Sequence, residues 1–227
     1  MAPSEIVVAT GVSRSNVQRI LRALKTAGYI DHTARGRYML AARGFALGLS
    51  LASPARLGRI AMPVLSQLQR EVSETVNLAV LDGTEVLYVA RIATEHFLQV
   101  HVEVGSRLPA YCTALGRALL AALPSAQARA VLRASELVAH TPNTLVDIDD
   151  IERELDRTRR RGYAVIKEEL ASGLISVACA VIGPEGQVLA AVNVPVPSVR
   201  FSEDIVDTIA PRLQEACLRL SQTLAVC

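Results

Sequence analysis

Apolar positions recur along this chain in two periods, and the change of period divides it. Between Ser13 and Ala27 the residues Val17, Ile20, Leu21 and Leu24 follow helical spacing and predict one amphipathic helix. A shorter helix over Ser4–Ala9 is predicted ahead of it, ended by Gly11, and Ser13 stands where an N-cap is expected. Gly28 stops the second helix. Tyr29–His32 and Arg37–Leu40 then read as two short strands joined at Ala34-Arg35-Gly36. After a junction at Ser50–Pro54, helical spacing resumes through Pro63 to about Glu74. Beyond it the pattern alternates. Strands are predicted at Val76–Leu81, Glu85–Ile92 and Leu98–Val104, the first two joined by Asp82-Gly83. Helices follow at Thr113–Leu123, Ser125–Ala134 and Asp147–Arg161. Three more strands are predicted at Tyr163–Glu168, Ile175–Ile182 and Val188–Pro195, and Ser202 is placed to cap a closing helix to about Leu224. This order argues for an α+β body with a six-stranded, mainly antiparallel sheet flanked by helices.

Charge sharpens the division. Residues 1–43 carry seven Lys/Arg against Glu5 and Asp31, a net +5, which leaves −3 for the rest of a chain whose total is +2. A basic head on a mildly acidic body fits a polyanion-binding module joined to something else. On the second helix, the face opposite the apolar stripe carries Ser15, Arg19, Arg22 and Thr26, flanked by Asn16 and Gln18. Arginine reads guanine, Asn and Gln read adenine, and hydroxyls hold phosphates. A short helix, a turn and a basic helix make a helix-turn-helix, and a hairpin after it makes a wing whose Arg35 and Arg37 would reach phosphates or a minor groove. A solvated amphipathic helix accounts equally well for the periodicity alone.

Here the chain resembles the IclR family of transcriptional regulators. The stretch Ala9 to Ile30 is similar to that family's recognition segment, Gly36-Arg-Tyr-Met-Leu to its wing, and Arg43–Leu51 to the start of its linker helix. The resemblance implies a winged helix-turn-helix over residues 1–42, lacking the further N-terminal helix usual in the family. It also implies a linker helix over 43–54 and a GAF-like effector-binding domain over 55–227. Arg14, Ser15, Asn16, Gln18 and Arg19 are then weighted as operator contacts, with Arg22, Arg35 and Arg37 beside them. The implied partners are a palindromic double-stranded DNA operator, a small organic acid, and further copies of the chain in a homodimer or homotetramer.

Two further stretches carry the resemblance: Gly105 to Ala121, closest to the branch governing aromatic-acid catabolism, and Gly162 to Leu174. They imply an effector pocket lined by Ala114 and Leu115, by Ile166 or Lys167, and by Ser176, Asn193 and Pro195. The residues themselves add that Thr113 can cap a helix and leave the N–H groups of Ala114, Leu115 and Gly116 for a carboxylate. Lys167 would pair with the acid, or stand as a solvated lysine at a strand end.

Other chemistries find little in the chain. Cys112, Cys179, Cys217 and Cys227 form no C-x-x-C pair and have no histidine at ligand spacing, so neither a disulfide framework nor a metal site is expected. There is no nucleophile elbow, P-loop, dinucleotide fingerprint or H-E-x-x-H, and the adjacent acids Glu168 and Glu169 would point to opposite faces of a strand. No catalytic residue and no cofactor are expected. The absence of a long apolar run and of a basic leader ahead of an apolar segment points to a cytoplasmic, membrane-free protein. Two alternatives stay open: an effector-binding module without independent DNA binding, and a thiol- or metal-responsive regulator built on Cys112.

Overall fold

The computed structural model describes residues 2–32, 37–41, 54–94 and 102–225. The chain divides into two compact units, Met1–Arg56 and Leu57–Cys227.

In the first unit, helices α1 (Pro3–Thr10) and α2 (Arg14–Thr26) precede an antiparallel ribbon of β1 (Ile30–His32) and β2 (Tyr38–Leu40), with Ile30 opposite Leu40. Gly28 takes φ 76°, so that its own N–H bonds Lys25 O and the Tyr29 N–H bonds Leu24 O, which ends α2 sharply. Ser13 does occupy the N-cap position, but its hydroxyl lies 3.3 Å from Ser15 Oγ and caps no amide. Only part of the apolar stripe is buried. Val17 and Leu21 are enclosed, whereas Ile20 and Leu24 stay 48% and 38% exposed among the described residues, because α1 is two turns long and buries no side chain of its own. The hairpin tip with Arg35 and the linker helix at Arg43–Leu51 lie outside the described residues.

The second unit is a three-layer body. Helix α3 (Pro54–Val72) leads into β3 (Val76–Asp82), β4 (Glu85–Ile92) and β5 (Arg107–Pro109). Helices α4 (Ala114–Ala122), α5 (Ser125–Ala134) and α6 (Ile148–Arg161) follow. The chain closes with β6 (Ala164–Lys167), β7 (Leu174–Ile182), β8 (Val188–Pro197) and α7 (Glu203–Ala225). The sheet order is β5-β4-β3-β8-β7-β6, and every pairing is antiparallel.

Strand alternation assigns the two faces. Val177, Cys179 and Val181 of β7, with Val192, Val194 and Val196 of β8, pack against Leu65 and Leu68 of α3 and Leu213, Cys217 and Leu220 of α7. Their neighbours Ala178 and Ala191 face Leu115 and Leu119 of α4, with Leu132 of α5 and Ile151 and Leu155 of α6 behind. The sheet is therefore covered on both sides. Only at positions where the second face opens to a cavity do polar residues replace apolar ones.

Two expectations need correcting. Alternation at Leu98–Val104 predicts the third strand, but Val102–Val104 is not strand and residues 95–101 lie outside the description. The strand is instead Arg107–Pro109, after a tight turn in which the Ser106 N–H bonds Glu103 O and Gly105 takes φ 95°. Arg107, donating to the Asp82 and Glu85 carboxylates, holds that edge in place. Glu168 and Glu169 are also not on a strand: β6 ends at Lys167, Glu168 takes φ 58°, and Glu169 turns into the core.

Candidate functional site

The site is built around the start of α4. Thr113 sits extended at the N-cap, its Oγ1 accepting from the Gly116 N–H at 3.1 Å and donating to Pro109 O at 3.0 Å. Gly116 packs directly on Ala110: an added Cβ would lie 2.0 Å from Ala110 O, so only glycine allows this approach. These contacts press the Ala110–Thr113 segment against the helix and fix how α4 begins. They also correct the sequence reading, because the Gly116 N–H is taken by the cap.

Between this segment and the sheet lies a cavity of about 410 Å³. Of the residues singled out from the sequence, Thr113, Ala114, Ile166, Ser176, Asn193 and Pro195 line it. Leu115, Gly116 and Lys167 do not. Leu115 points into the core beneath α4, Gly116 is covered by Ala110, and Lys167 lies on the other side of β6 with Nζ 5.2 Å from the Phe201 ring centre.

A row of hydrogen bonds crosses the cavity floor through four strands. Arg91 on β4 donates to Asn77 Oδ1 at 2.9 Å. Asn77 on β3 donates to Asn193 Oδ1 at 2.9 Å, and Asn193 on β8 donates to Ser176 Oγ of β7 at 2.8 Å. Asn77 and Asn193 are register partners, which places their amides side by side. Each amide in the row accepts through oxygen and donates through nitrogen, so the direction set by the Arg91 guanidinium passes along the row. At its end the Ser176 hydroxyl accepts and keeps its own proton to give. Ile166, Leu108, Leu170 and Pro195 supply apolar wall. Tyr88, also in the wall, has its phenol pushed up to about 12 by burial and stays neutral, a donor and acceptor without charge.

Beneath the cavity, Arg117 of α4 ties two walls together. It donates to Tyr111 O and, at 2.8 Å, to Glu169, whose carboxylate also accepts from the Leu145 N–H at 3.2 Å. Thr144 donates to the Glu169 carbonyl. The Tyr111–Ala114 segment and the Glu169–Ser172 loop, both contributing to the cavity wall, are thereby fixed to each other. Burial draws the Arg117 guanidinium down and holds the Glu169 carboxyl above the usual carboxylate range, against the pull of each on the other. Cys112, beside this pair, has its thiol pushed up to about 11 by burial, and so is not a reactive thiolate at neutral pH.

Residues 50–222 match the family model described as bacterial transcriptional regulator IclR C-terminal. The chain belongs to the IclR family. It is similar to the Pca regulon regulatory protein of Pseudomonas putida, 38% identical over 193 residues (84% of this chain, 66% of the relative). It is also similar to the transcriptional repressor IclR of Escherichia coli, 30% identical over 207 residues (90% of this chain, 76% of the relative). Among solved structures, an IclR homolog from Microbacterium hydrocarbonoxydans complexed with 4-hydroxybenzoate matches with a TM-score of 0.79 and 26% identity, covering 100% of this chain and 92% of that one. These relatives are transcriptional regulators, not enzymes.

As an IclR-family transcriptional regulator, the chain carries its effector-binding part in the C-terminal unit. The residues singled out in the N-terminal unit, Arg14, Ser15, Asn16, Gln18, Arg19 and Arg22, are all exposed on α2, with Arg19 donating to Asn16 Oδ1 at 3.4 Å. Arg37 is exposed and pairs with Glu5 at 3.4 Å. Sequence reasoning missed Asn77, Tyr88 and Arg91 in the cavity, with Thr75 and Thr94 at its edge. A signal for one was present: Asn77 is polar between Val76 and Leu78, on a strand otherwise apolar up to its last residue, Asp82. Among the described residues, no group of three His, Cys, Asp or Glu could hold a metal ion, and no helix is long and apolar enough to cross a membrane.

Proposed function

We propose that the cavity binds a small aromatic carboxylic acid, and that this binding changes how the N-terminal unit engages an operator. The observation that carries the reading is the pairing, in one cavity, of a directed polar row with a helix start. The N–H groups of Ala114 and Leu115 belong to the first turn of α4, where no intrahelical acceptor exists, and they suit a carboxylate. Ile166 and Pro195 flank the space for a ring, and the Ser176 hydroxyl and Asn193 amide suit a ring hydroxyl or a second polar group. The solved relative complexed with 4-hydroxybenzoate supports this class of ligand.

In the N-terminal unit, α2 acts as the recognition helix of a winged helix-turn-helix, and the β1–β2 ribbon as its wing. Arg14, Ser15, Asn16, Gln18 and Arg19 face base edges, while Arg22, Arg35 and Arg37 serve phosphates. Two or four copies pair their heads on a palindromic operator, and the effector shifts the population of head arrangements.

A thermal-shift series tests the ligand class. At about a hundred times its Kd, a bound hydroxybenzoate adds about 2.7 kcal/mol and raises Tm by roughly 5–10 °C for a chain of this size. Aliphatic acids of equal charge leave Tm unchanged. No rise with any benzoate, or an equal rise with acetate and pyruvate, refutes the aromatic-acid reading. Mobility shifts on the intergenic DNA upstream of its own gene test the head separately.

A further inference from the structure

Three of the four cysteines are described, and two of them meet. Cys179 is the sixth of the nine residues of β7, on the face turned towards α7, and Cys217 lies within α7. The Cys217 thiol donates to the Cys179 carbonyl at 3.4 Å, which brings the two cysteines side by side across the sheet–helix contact. The residues are 38 apart in sequence, so the meeting belongs to the fold and not to a local turn.

The two sulfurs have unequal surroundings. Cys217 is enclosed by Val192 and the apolar side chains of α3 and α7. Cys179 instead helps to line a second cavity, of about 350 Å³, near the C-terminal end of α4, which shares no lining residue with the effector cavity. Ala118, Ala121, Gly162 and Tyr163 share that lining, and the Cys179 thiol is 3.5 Å from Gly162 O. Both are buried, but Cys179, 8% exposed, borders that cavity and Cys217, 3% exposed, does not. The hydrogen bond from Cys217 lowers the pKa of Cys179, while burial raises that of Cys217, so Cys179 ionises first.

We propose that Cys179 and Cys217 form a peroxide-oxidisable thiol pair that closes to a disulfide between β7 and α7. The Cys179 thiolate attacks one oxygen of a hydroperoxide, the O–O bond breaks, and water or an alcohol leaves once its oxygen takes a proton. Cys179 is then a sulfenic acid. The Cys217 sulfur, giving up its proton, displaces the hydroxyl as water and forms the S–S bond. Two thiols lose two electrons and two protons, and the peroxide is reduced. The resulting bond fastens the strand that carries Ser176 to the closing helix. The proposal stands independently of the ligand class assigned to the effector cavity.

The test uses the full chain, treated with hydrogen peroxide, alkylated under denaturing conditions and mapped by mass spectrometry. The expected result is loss of two of the four alkylatable thiols, a linked peptide pair containing Cys179 and Cys217, and return of both thiols with dithiothreitol. In Cys217→Ala the reaction stops at a Cys179 sulfenic acid that dimedone traps. Should that variant fold poorly, the C112S/C227S double variant keeps the pair intact and gives the same linked peptide. Four thiols still free after treatment, or a disulfide that uses Cys112 or Cys227, overturns the proposal.

Discussion

Arg117 and Glu169 are joined at 2.8 Å although 52 residues separate them, and neither side chain is more than 9% exposed. A buried pair of this kind adds little net stability over an apolar substitute, yet loss of one partner strands the other charge. Glu169→Ala is therefore expected to destabilise the second unit by about 3–5 kcal/mol, read from the urea midpoint, while Arg117→Met with Glu169→Leu regains most of the loss. A Glu169→Ala change of under about 1 kcal/mol would mean that the pair fixes nothing.

The same carboxyl makes stability depend on pH with a definite sign. Burial raises the Glu169 pKa in the folded chain, so the folded state holds its proton more tightly than the unfolded one. This contribution is complete below the ordinary carboxylate range and declines as pH rises through the raised folded value. Glu169→Gln removes that part of the slope, which a comparison of unfolding free energies between pH 4 and 7 detects.

Gly116→Ala brings a methyl against Ala110 O, which is backbone and cannot swing aside. Overpacking of about 1–3 kcal/mol or more is expected, together with weakened effector binding, because α4 and the Ala110–Thr113 segment must separate. Calorimetric titration beside a urea melt distinguishes the two effects. Wild-type behaviour in both would contradict the close approach.

Asn193→Leu interrupts the polar row, leaving the Asn77 amide without its acceptor and Ser176 without its donor. A cost of about 1–3 kcal/mol follows from the stranded groups, and the hydroxybenzoate-induced rise in Tm disappears. Retention of that rise would place the ligand elsewhere in the cavity.

Cys112 offers a kinetic check. With its thiol at about 11, against an ordinary value of 9, its thiolate fraction at pH 8 is lower by about a hundredfold. Iodoacetamide should label it at least that much more slowly than a solvent-exposed cysteine. Rapid labelling of Cys112 would restore the idea of a thiol sensor in the wall of the effector cavity.

Periodicity made most of the second unit legible. Ser125–Ala134 and Glu85–Ile92 begin and end as the pattern of apolar residues places them, and the six strands pair without a parallel member. Of the third strand predicted at Leu98–Val104, only Val102–Val104 is described, and it is not strand; the edge at Arg107–Pro109 is held by Arg107 and its two acids, a contact between segments that no local pattern carries. The cavity was legible where family likeness could point to single residues, as with Ser176 and Asn193. Lys167 lies off the cavity because alternation along β6 turns Ile166 towards it and Lys167 to the opposite face. Asn77 and Arg91 escaped because their role depends on register across the sheet, which strand patterns alone do not give.

The outermost strands of the sheet, β5 and β6, have only three and four residues. Neither border offers a run of free amides and carbonyls long enough to template another chain, the usual defence of a soluble sheet against edge-to-edge growth. Strand addition at either border is thereby disfavoured, so the hydrogen-bonded row four strands wide stays internal to one body.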